Sequence, residues 1–422
     1  MAARKNLLRL RFRRKDWNRV QKMSTEDLED GITKTLMRMS SLQDLCIRYL
    51  GDKHEFSAAA VTAWLLHFCD SLRFLTFKTE IKPLALDIMG EIRHECLVLK
   101  HADIILIRDP DVKVRFPTLV SLTLWDIRVS AVDLHGLLLA CPELENLALN
   151  RVFDICSSEA RVPLELTSSS LKSFTWQNWT GNWTGPKLVA EKLESFHLKY
   201  NENPSHLHVV TKGNLQEVRI KNSLGTGLKI EGDFHLLHVL DFHSPWFDTC
   251  NWSGFMVPFQ EASNLVELCL WPVQSYDPNL ERIAVFFPCV SQLSLLYNFE
   301  DATQVEKLLE GSSILEKVVV LELGCLTVNS LFDQWISGVV QRCPNLRYLV
   351  VHCGVSQLEY GMNTLQMLDK CGGWLVEICM VYGAGKLANS KECLYVWELQ
   401  EAVGVLALTP FCELNPTGDY IC

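Results

Sequence analysis

Apolar positions along the chain return in the form Leu-x-x-Leu-x-Leu. The string Leu119-Val-Ser-Leu122-Thr-Leu124 shows it most cleanly. With its first residue as anchor, the form recurs at 42, 72, 94, 119, 144, 171, 193, 215, 237, 265, 290, 318, 346 and 375, fourteen anchors spaced 22 to 30 residues apart. The fourth and sixth positions are apolar in every one, from Leu45 and Ile47 through Phe196 and Leu198 to Ile378 and Met380. The third repeat is the weakest, with His94 at the anchor, and the run from 193 to 237 is the most regular, at 22-residue steps.

Two periods sit inside each repeat. Alternation over x-Leu-x-Leu-x predicts a short strand with one buried face. The remainder must return on the other side, and Val132–Ala140 and Gln304–Glu310 carry the apolar spacing of helices. A lone repeat cannot bury its apolar side, so the units must stack on a continuous core. The predicted fold is therefore an α/β leucine-rich-repeat solenoid, a curved horseshoe with parallel inner strands and helical or irregular outer segments. It is expected over residues 23–381, with a basic segment at 1–22 and a capping segment at 382–422.

Proline marks the repeat boundaries. Cys141-Pro-Glu-Leu144 and Cys343-Pro-Asn-Leu346 place Cys-Pro ahead of a strand, and Phe116-Pro and Phe287-Pro do the same elsewhere. Proline there ends the outer segment and starts extended chain. The cysteine three residues before the anchor, also present as Cys69, reads as a small apolar plug.

Composition narrows the context. At 48% hydrophobic residues with 15 Pro and 22 Gly, the 422-residue chain is neither disordered nor collagen-like. No charge-free stretch is long and apolar enough for a membrane span, so no membrane role is expected. Sixteen cysteines without C-x-x-C pairs, behind a start that lacks an apolar signal core, fit a reduced, cytoplasmic or nuclear protein. The sequons at Asn178, Asn182 and Asn251 are then silent. Residues 1–22 hold nine Lys or Arg and one acid, Asp16, so they carry +8 and the remaining 400 residues −18 of the net −10. An acidic body repels nucleic-acid phosphates and suits a protein partner instead.

No catalytic constellation is present: G-x-S-x-G, the P-loop and H-E-x-x-H are all missing from the sequence. Gly225-Thr-Gly227 precedes strand-like Leu228-Lys-Ile230 and reads as a turn. His206 and His208 offer two ligands of one strand face with no third, so neither a metal nor a cofactor is expected and the chain is read as non-enzymatic.

The informative surface is the set of third, fifth and seventh positions, which alternation sends to the concave side. Repeats 193, 215 and 237 bring His197, Lys199, Arg219, Lys221, Asp241 and His243 onto neighbouring strands, flanked by Trp125 and Trp271. One reading is a set of solvated strand positions with an Arg219–Asp241 surface pair worth ~0.2–1 kcal/mol. The other is a basic and histidine-rich patch for a protein substrate, with tryptophan and arginine as hot-spot residues.

Leu-x-x-Leu-x-Leu units introduced by Cys-Pro-x-Leu or Phe-Pro-x-Leu resemble the repeats of plant-type F-box proteins, over residues 36 to 381. Arg4–Val20, ending in Lys15-Asp16-Trp17, is similar to the second half of an F-box; the family's first F-box helix, which begins Leu-Pro, has no counterpart. The resemblance implies substrate recognition for an SCF-type ubiquitin ligase, with a Skp-type adaptor and cullin as partners once an F-box is completed upstream, and adaptor contacts at Leu8, Leu10 and Trp17. Two alternatives stay open. The basic start also reads as a targeting signal or a solvated helix, and the protein as an interaction scaffold without a ubiquitin role.

Overall fold

The structure is a computed structural model. It describes residues 23–39, 41–48, 55–85, 95–105, 116–154, 163–178, 183–199, 207–221, 228–243, 257–273, 279–297, 299, 301–325 and 330–354, with the backbone alone at 48, 55, 58, 78–85, 100–105, 184, 243, 257, 271–273, 325 and 352–354, and likewise the backbone of strands at 377–383, 393–398 and 409–410. The fold is an α/β leucine-rich-repeat solenoid. Its chain divides into two compact units, Met1–Leu215 with Lys221–Asp233, and Gln216–Ile220 with Phe234–Cys422.

In the first unit the inner sheet is parallel. It contains β1 (Asp44–Arg48), β2 (Glu55–Ser57), β3 (Phe74–Ala85), β4 (Cys96–Ile105), β5 (Ser121–Arg128), β6 (Asn146–Phe153), β8 (Ser173–Gln177) and β10 (Ser195–Lys199). Between these last strands the chain forms β7 (Pro163–Ser168) and β9 (Thr184–Ala190), and after them β11 (His208–Val210). Strand β12 (Glu217–Lys221) belongs, but for Lys221, to the second unit, and β13 (Lys229–Glu231) to the first. Three helices belong to this unit, α1 (Thr25–Leu36), α2 (Ala58–His67) and α3 (Ala131–Leu139). Each is started by a serine whose hydroxyl accepts an amide of the first turn, Ser24 from Asp27, Ser57 from Ala60 and Ser130 from Asp133.

Helical returns occur in both units, and on part of the first unit's outer side β7, β9, β11 and β13 pair in parallel as a second, four-stranded sheet. For β9, β11 and β13 the reason is the 22-residue step between anchors, while β7 lies in a 27-residue step and pairs beside β9. A strand advances ~3.3 Å per residue against 1.5 Å for a helix, so it completes the return in fewer residues. Leu164, Leu166, Leu188, Val209 and Ile230 point into the core from this sheet. The edge at β7 lies under α3, where His135 Nδ1 sits 2.7 Å from the Glu165 carbonyl oxygen.

In the second unit, β14 (Val239–His243), β15 (Glu267–Val273), β16 (Gln292–Tyr297), β17 (Val320–Cys325), β18 (Tyr348–Gly354) and β19 (Glu377–Gly383) continue in parallel, and β20 (Cys393–Glu398) and β21 (Thr409–Pro410) add antiparallel strands. The returns are a 3-10 turn at Val257–Glu261 and helices α4 (Leu280–Phe286), α5 (Ala302–Leu308) and α6 (Ser330–Gln341). Phe332, Trp335, Ile336, Val339 and Val340 bury one face of α6.

Both units share one stitching rule. The carbonyl of each repeat's second residue accepts two amides of the next repeat: Gln43 O from Arg73 and Phe74, Val120 O from Glu145 and Asn146, Val319 O from Arg347 and Tyr348. An asparagine just before the anchor adds a side-chain stitch, Asn214 to Glu191 O, Asn264 to His235 O and Asn345 to Glu316 O. In thirteen repeats the fourth and sixth residues are at most 2% exposed, from Leu45 to Val351; the last pair, Ile378 and Met380, lies outside the described side chains. Full burial of such a side chain contributes about 1.5–3 kcal/mol, which makes these columns the core. Cys141 and Cys343 are buried beside the anchors. Burial pushes both thiols up to about 12, with Arg342 lowering Cys343 slightly.

Candidate functional site: the inner sheet face

Because the fourth and sixth positions supply the core, the third, fifth and seventh are left to the other face. In the second unit that face is acidic around one cation. Arg219 on β12 contacts Glu217 through Nε, Asp241 at 3.1 Å and Glu267 at 3.4 Å through its Nη1 nitrogen. Burial pulls the Arg219 pKa down, but the three carboxylates outweigh it and hold the guanidinium above its ordinary value. Asp241 is 2% exposed. The pair expected at a solvated surface is thus part of a four-group cluster with a buried carboxylate and a surplus of acid. Further along, Ser294 donates to Glu322 at 2.6 Å. Cys269 and Leu296, which alternation alone would expose, are buried.

In the first unit the same face is polar but nearly free of charge in its middle. Asn150 donates to Gln177 at 3.2 Å, and Asn178 donates to Asn150 at 3.1 Å, an amide ladder over two strands. Directly after the seventh position, Asp126, Arg151 and Asn178 take left-handed backbone at φ 59°, 52° and 52°. The first two stack as an ion pair at 3.4 Å. These bulges shift the alternation, so that Ile127 and Val152 return to the core. Left-handed backbone at three non-glycine residues costs energy, and no residue-level signal in the sequence marks it except that Asn and Asp tolerate it.

The sequence candidates fall as follows. Trp125 is half-buried at the edge of the ladder, His197 is half-buried with Nε2 3.1 Å from Ser195 Oγ, and Lys199 and Lys221 are half-buried at their strand ends. Arg219 and Asp241 form the cluster above. His243 and Trp271 are paired in register on β14 and β15, and their side chains lie outside the described residues. Leu8, Leu10 and Trp17 also lie outside them, as do His206 and the Gly225 turn. The reading missed Glu217 and Glu267, which sit at third positions flanking Arg219 and were visible as such in the repeat alignment.

Among the described residues no group of three His, Cys, Asp or Glu is placed to hold a metal, and no helix is long and apolar enough to cross a membrane. The arrangement offers surface recognition: one cluster locked by charge, one amide ladder, and an indole between strands.

A family model described as "FBD-associated F-box protein At5g56370, LRR repeats" matches residues 72–191. The chain is also similar to the F-box/LRR-repeat protein At1g67190 of Arabidopsis thaliana, 34% identical over 364 residues, which is 85% of this chain and 84% of that protein.

Proposed function

The chain belongs to the plant F-box/leucine-rich-repeat proteins, and from that premise we propose that it is the substrate-recognition arm of an SCF-type ubiquitin ligase, acting in the cytoplasm or nucleus and non-catalytic itself. In this reading residues 1–22 serve a Skp-type adaptor and through it a cullin, with Leu8, Leu10 and Trp17 as contacts. Residues 23–381 hold a protein substrate on the inner face, and 382–422 close the stack. Neither cofactor nor nucleic acid takes part.

One observation carries the reading. The anchor, fourth and sixth columns are buried in the core, whereas Trp125, His197, Lys199 and Lys221 of the inner-face columns are only half-buried, and that partly solvated face supports the reading of a partner surface. Fold alone does not decide function, and the adaptor is the part that separates a ligase subunit from a scaffold.

The test is co-purification with a Skp-type adaptor and cullin, using this chain and a second form in which an F-box first helix is joined ahead of Met1. The expected result is retention of the adaptor and cullin by at least the second form, and loss on Trp17→Ala. If neither form retains the adaptor, the ligase assignment fails and the interaction scaffold stands.

A further inference from the structure

In the second unit the residue just before the anchor carries a stitch between repeats. At the anchors 265 and 346 that residue is an asparagine, Asn264 bonding to His235 O and Asn345 to Glu316 O. The repeats anchored at 290 and 318 place Cys289 and Lys317 there instead. Lys317 donates through Nζ to Sγ of Cys289 at 3.2 Å, across 28 residues of chain. Backbone bonds hold the two repeats together at this point, because Ser291 O accepts the amides of Val319 and Val320 at 2.9 and 3.0 Å. The cysteine is half-exposed and the lysine exposed, so a small solute reaches both.

A thiol with a primary amine against its sulfur is a pair of reactants as well as a hydrogen bond. We infer that hydrogen peroxide joins Cys289 Sγ to Lys317 Nζ in a sulfenamide, a covalent and reducible staple between two neighbouring repeats. The pair is spare for folding in a way that Cys141 and Cys343 are not, since those two are buried in the core. It also lies outside the inner-face columns, and the inference is independent of the ligase reading.

The reaction closes on these two side chains and one oxidant. The thiolate attacks peroxide, the O–O bond breaks, and the departing hydroxide takes up a proton, leaving sulfenic acid and water. Lys317, having given one ammonium proton to solvent, attacks sulfur with its nitrogen lone pair. The S–O bond breaks as the S–N bond forms, and the hydroxide leaves with one amine proton as a second water. Thiol, amine and one peroxide thus become a sulfenamide and two waters, with sulfur oxidised by two electrons and peroxide reduced by two. Sulfenic acids condense with backbone nitrogen in the same way. The flexible lysine stem closes the gap from 3.2 Å without moving backbone. A thiol reductant reverses the link by attacking sulfur and releasing the amine.

The test treats the reduced full chain with hydrogen peroxide, quenches with catalase, alkylates the remaining thiols and digests with trypsin, which does not cut after a linked lysine. Mass spectrometry is expected to find the Cys289 peptide joined to the Lys317 peptide, lighter by two hydrogens than the unlinked pair, and dithiothreitol should separate them. Lys317→Arg keeps the cation and the donor but offers no deprotonated amine. In that variant the link should vanish while Cys289 proceeds to sulfinic acid at higher yield than in the wild type. Cys289→Ser should lose the link as well. Cys69, likewise half-exposed, is the comparator within the same chain and should take up oxygen without joining a lysine. Oxidation of Cys289 with no joined peptide, a joined pair that survives Lys317→Arg, an additional oxygen in the bridge, a comparable link at Cys69, or an equal yield from the urea-unfolded chain each overturns the inference. Adaptor co-purification is read separately, so the ligase reading can stand while this site falls.

Discussion

Arg219 reaches the buried carboxylate of Asp241 at 3.1 Å, from one strand of the second unit to its neighbour. The side chains are 27% and 4% exposed, so this contact differs in kind from the surface ion pairs of the outer turns. Its carboxylate cannot be rehydrated without opening the strand, and the guanidinium is what makes that burial tolerable.

Removing Arg219 should therefore be costly. Arg219→Ala is expected to destabilise the second unit by about 3 kcal/mol, because it removes the guanidinium contact from the buried carboxylate of Asp241, whereas an exposed pair such as Lys34–Asp30 should give under about 1 kcal/mol. Urea denaturation of the single variants and of Arg219→Ala with Asp241→Ala checks this. The double variant should recover part of the loss, and simple additivity would contradict the coupling.

Gly311 is held in a place only glycine fits. Its φ is +91°, and an added Cβ would lie 2.2 Å from Oε2 of Glu281 and 3.0 Å from its Cβ. Gly311→Ala should cost about 2 kcal/mol or more from backbone strain and clash together. Thermal melting of Gly311→Ala, alone and with Glu281→Ala, compared with Glu281→Ala by itself, separates the two contributions, since the Glu281 single variant reports the lost Ser313 bonds.

Glu281 also predicts an acid limb. Ser313 donates to it from both its hydroxyl and its amide, at 2.7 and 2.9 Å. Those bonds, hydroxyl first, hold its carboxyl below the usual range. A lowered folded-state pKa means stabilisation that is present above the unfolded value and lost as pH falls through the folded one. Melting temperature against pH from about 6 to 3 should fall less steeply in Glu281→Gln than in the wild type.

Cys141 and Cys343 give the alkaline counterpart. With burial holding their folded-state pKa values up to about 12, above the ordinary 9.0 of a thiol, they favour the folded state below pH 9 and weaken it as pH rises toward 12. At about pH 8 both should resist iodoacetamide until the chain unfolds. Among the described cysteines, the half-exposed Cys69, Cys96 and Cys289 should be modified before them. Mass-spectrometric mapping showing Cys141 among the first thiols labelled would refute the plug assignment.

The stacked left-handed residues make a comparison within one position. Asn178→Ala should destabilise more than Asn178→Gly, by about 0.5–1 kcal/mol, because alanine resists φ near +52° and glycine does not. Both lose the bond to Asn150, so the difference isolates the backbone.

The repeat architecture was legible in the sequence because it depends on local arithmetic. A two-residue alternation recurring at 22 to 30 residues needs no knowledge of partners, and Leu45 through Val351 duly fill the core. Cys-Pro ahead of Leu144 and Leu346 was equally readable, since proline acts on its own neighbours. Family membership rested on the same local strings. What tertiary structure decided were the features that depend on counting charges or lengths across repeats. The outer sheet of β7, β9, β11 and β13 follows from pairing between neighbouring returns. The character of Arg219 follows from three carboxylates 2, 22 and 48 residues away. Sequence period determines which positions face inward or outward, and only pairing between strands determines which of those positions become neighbours.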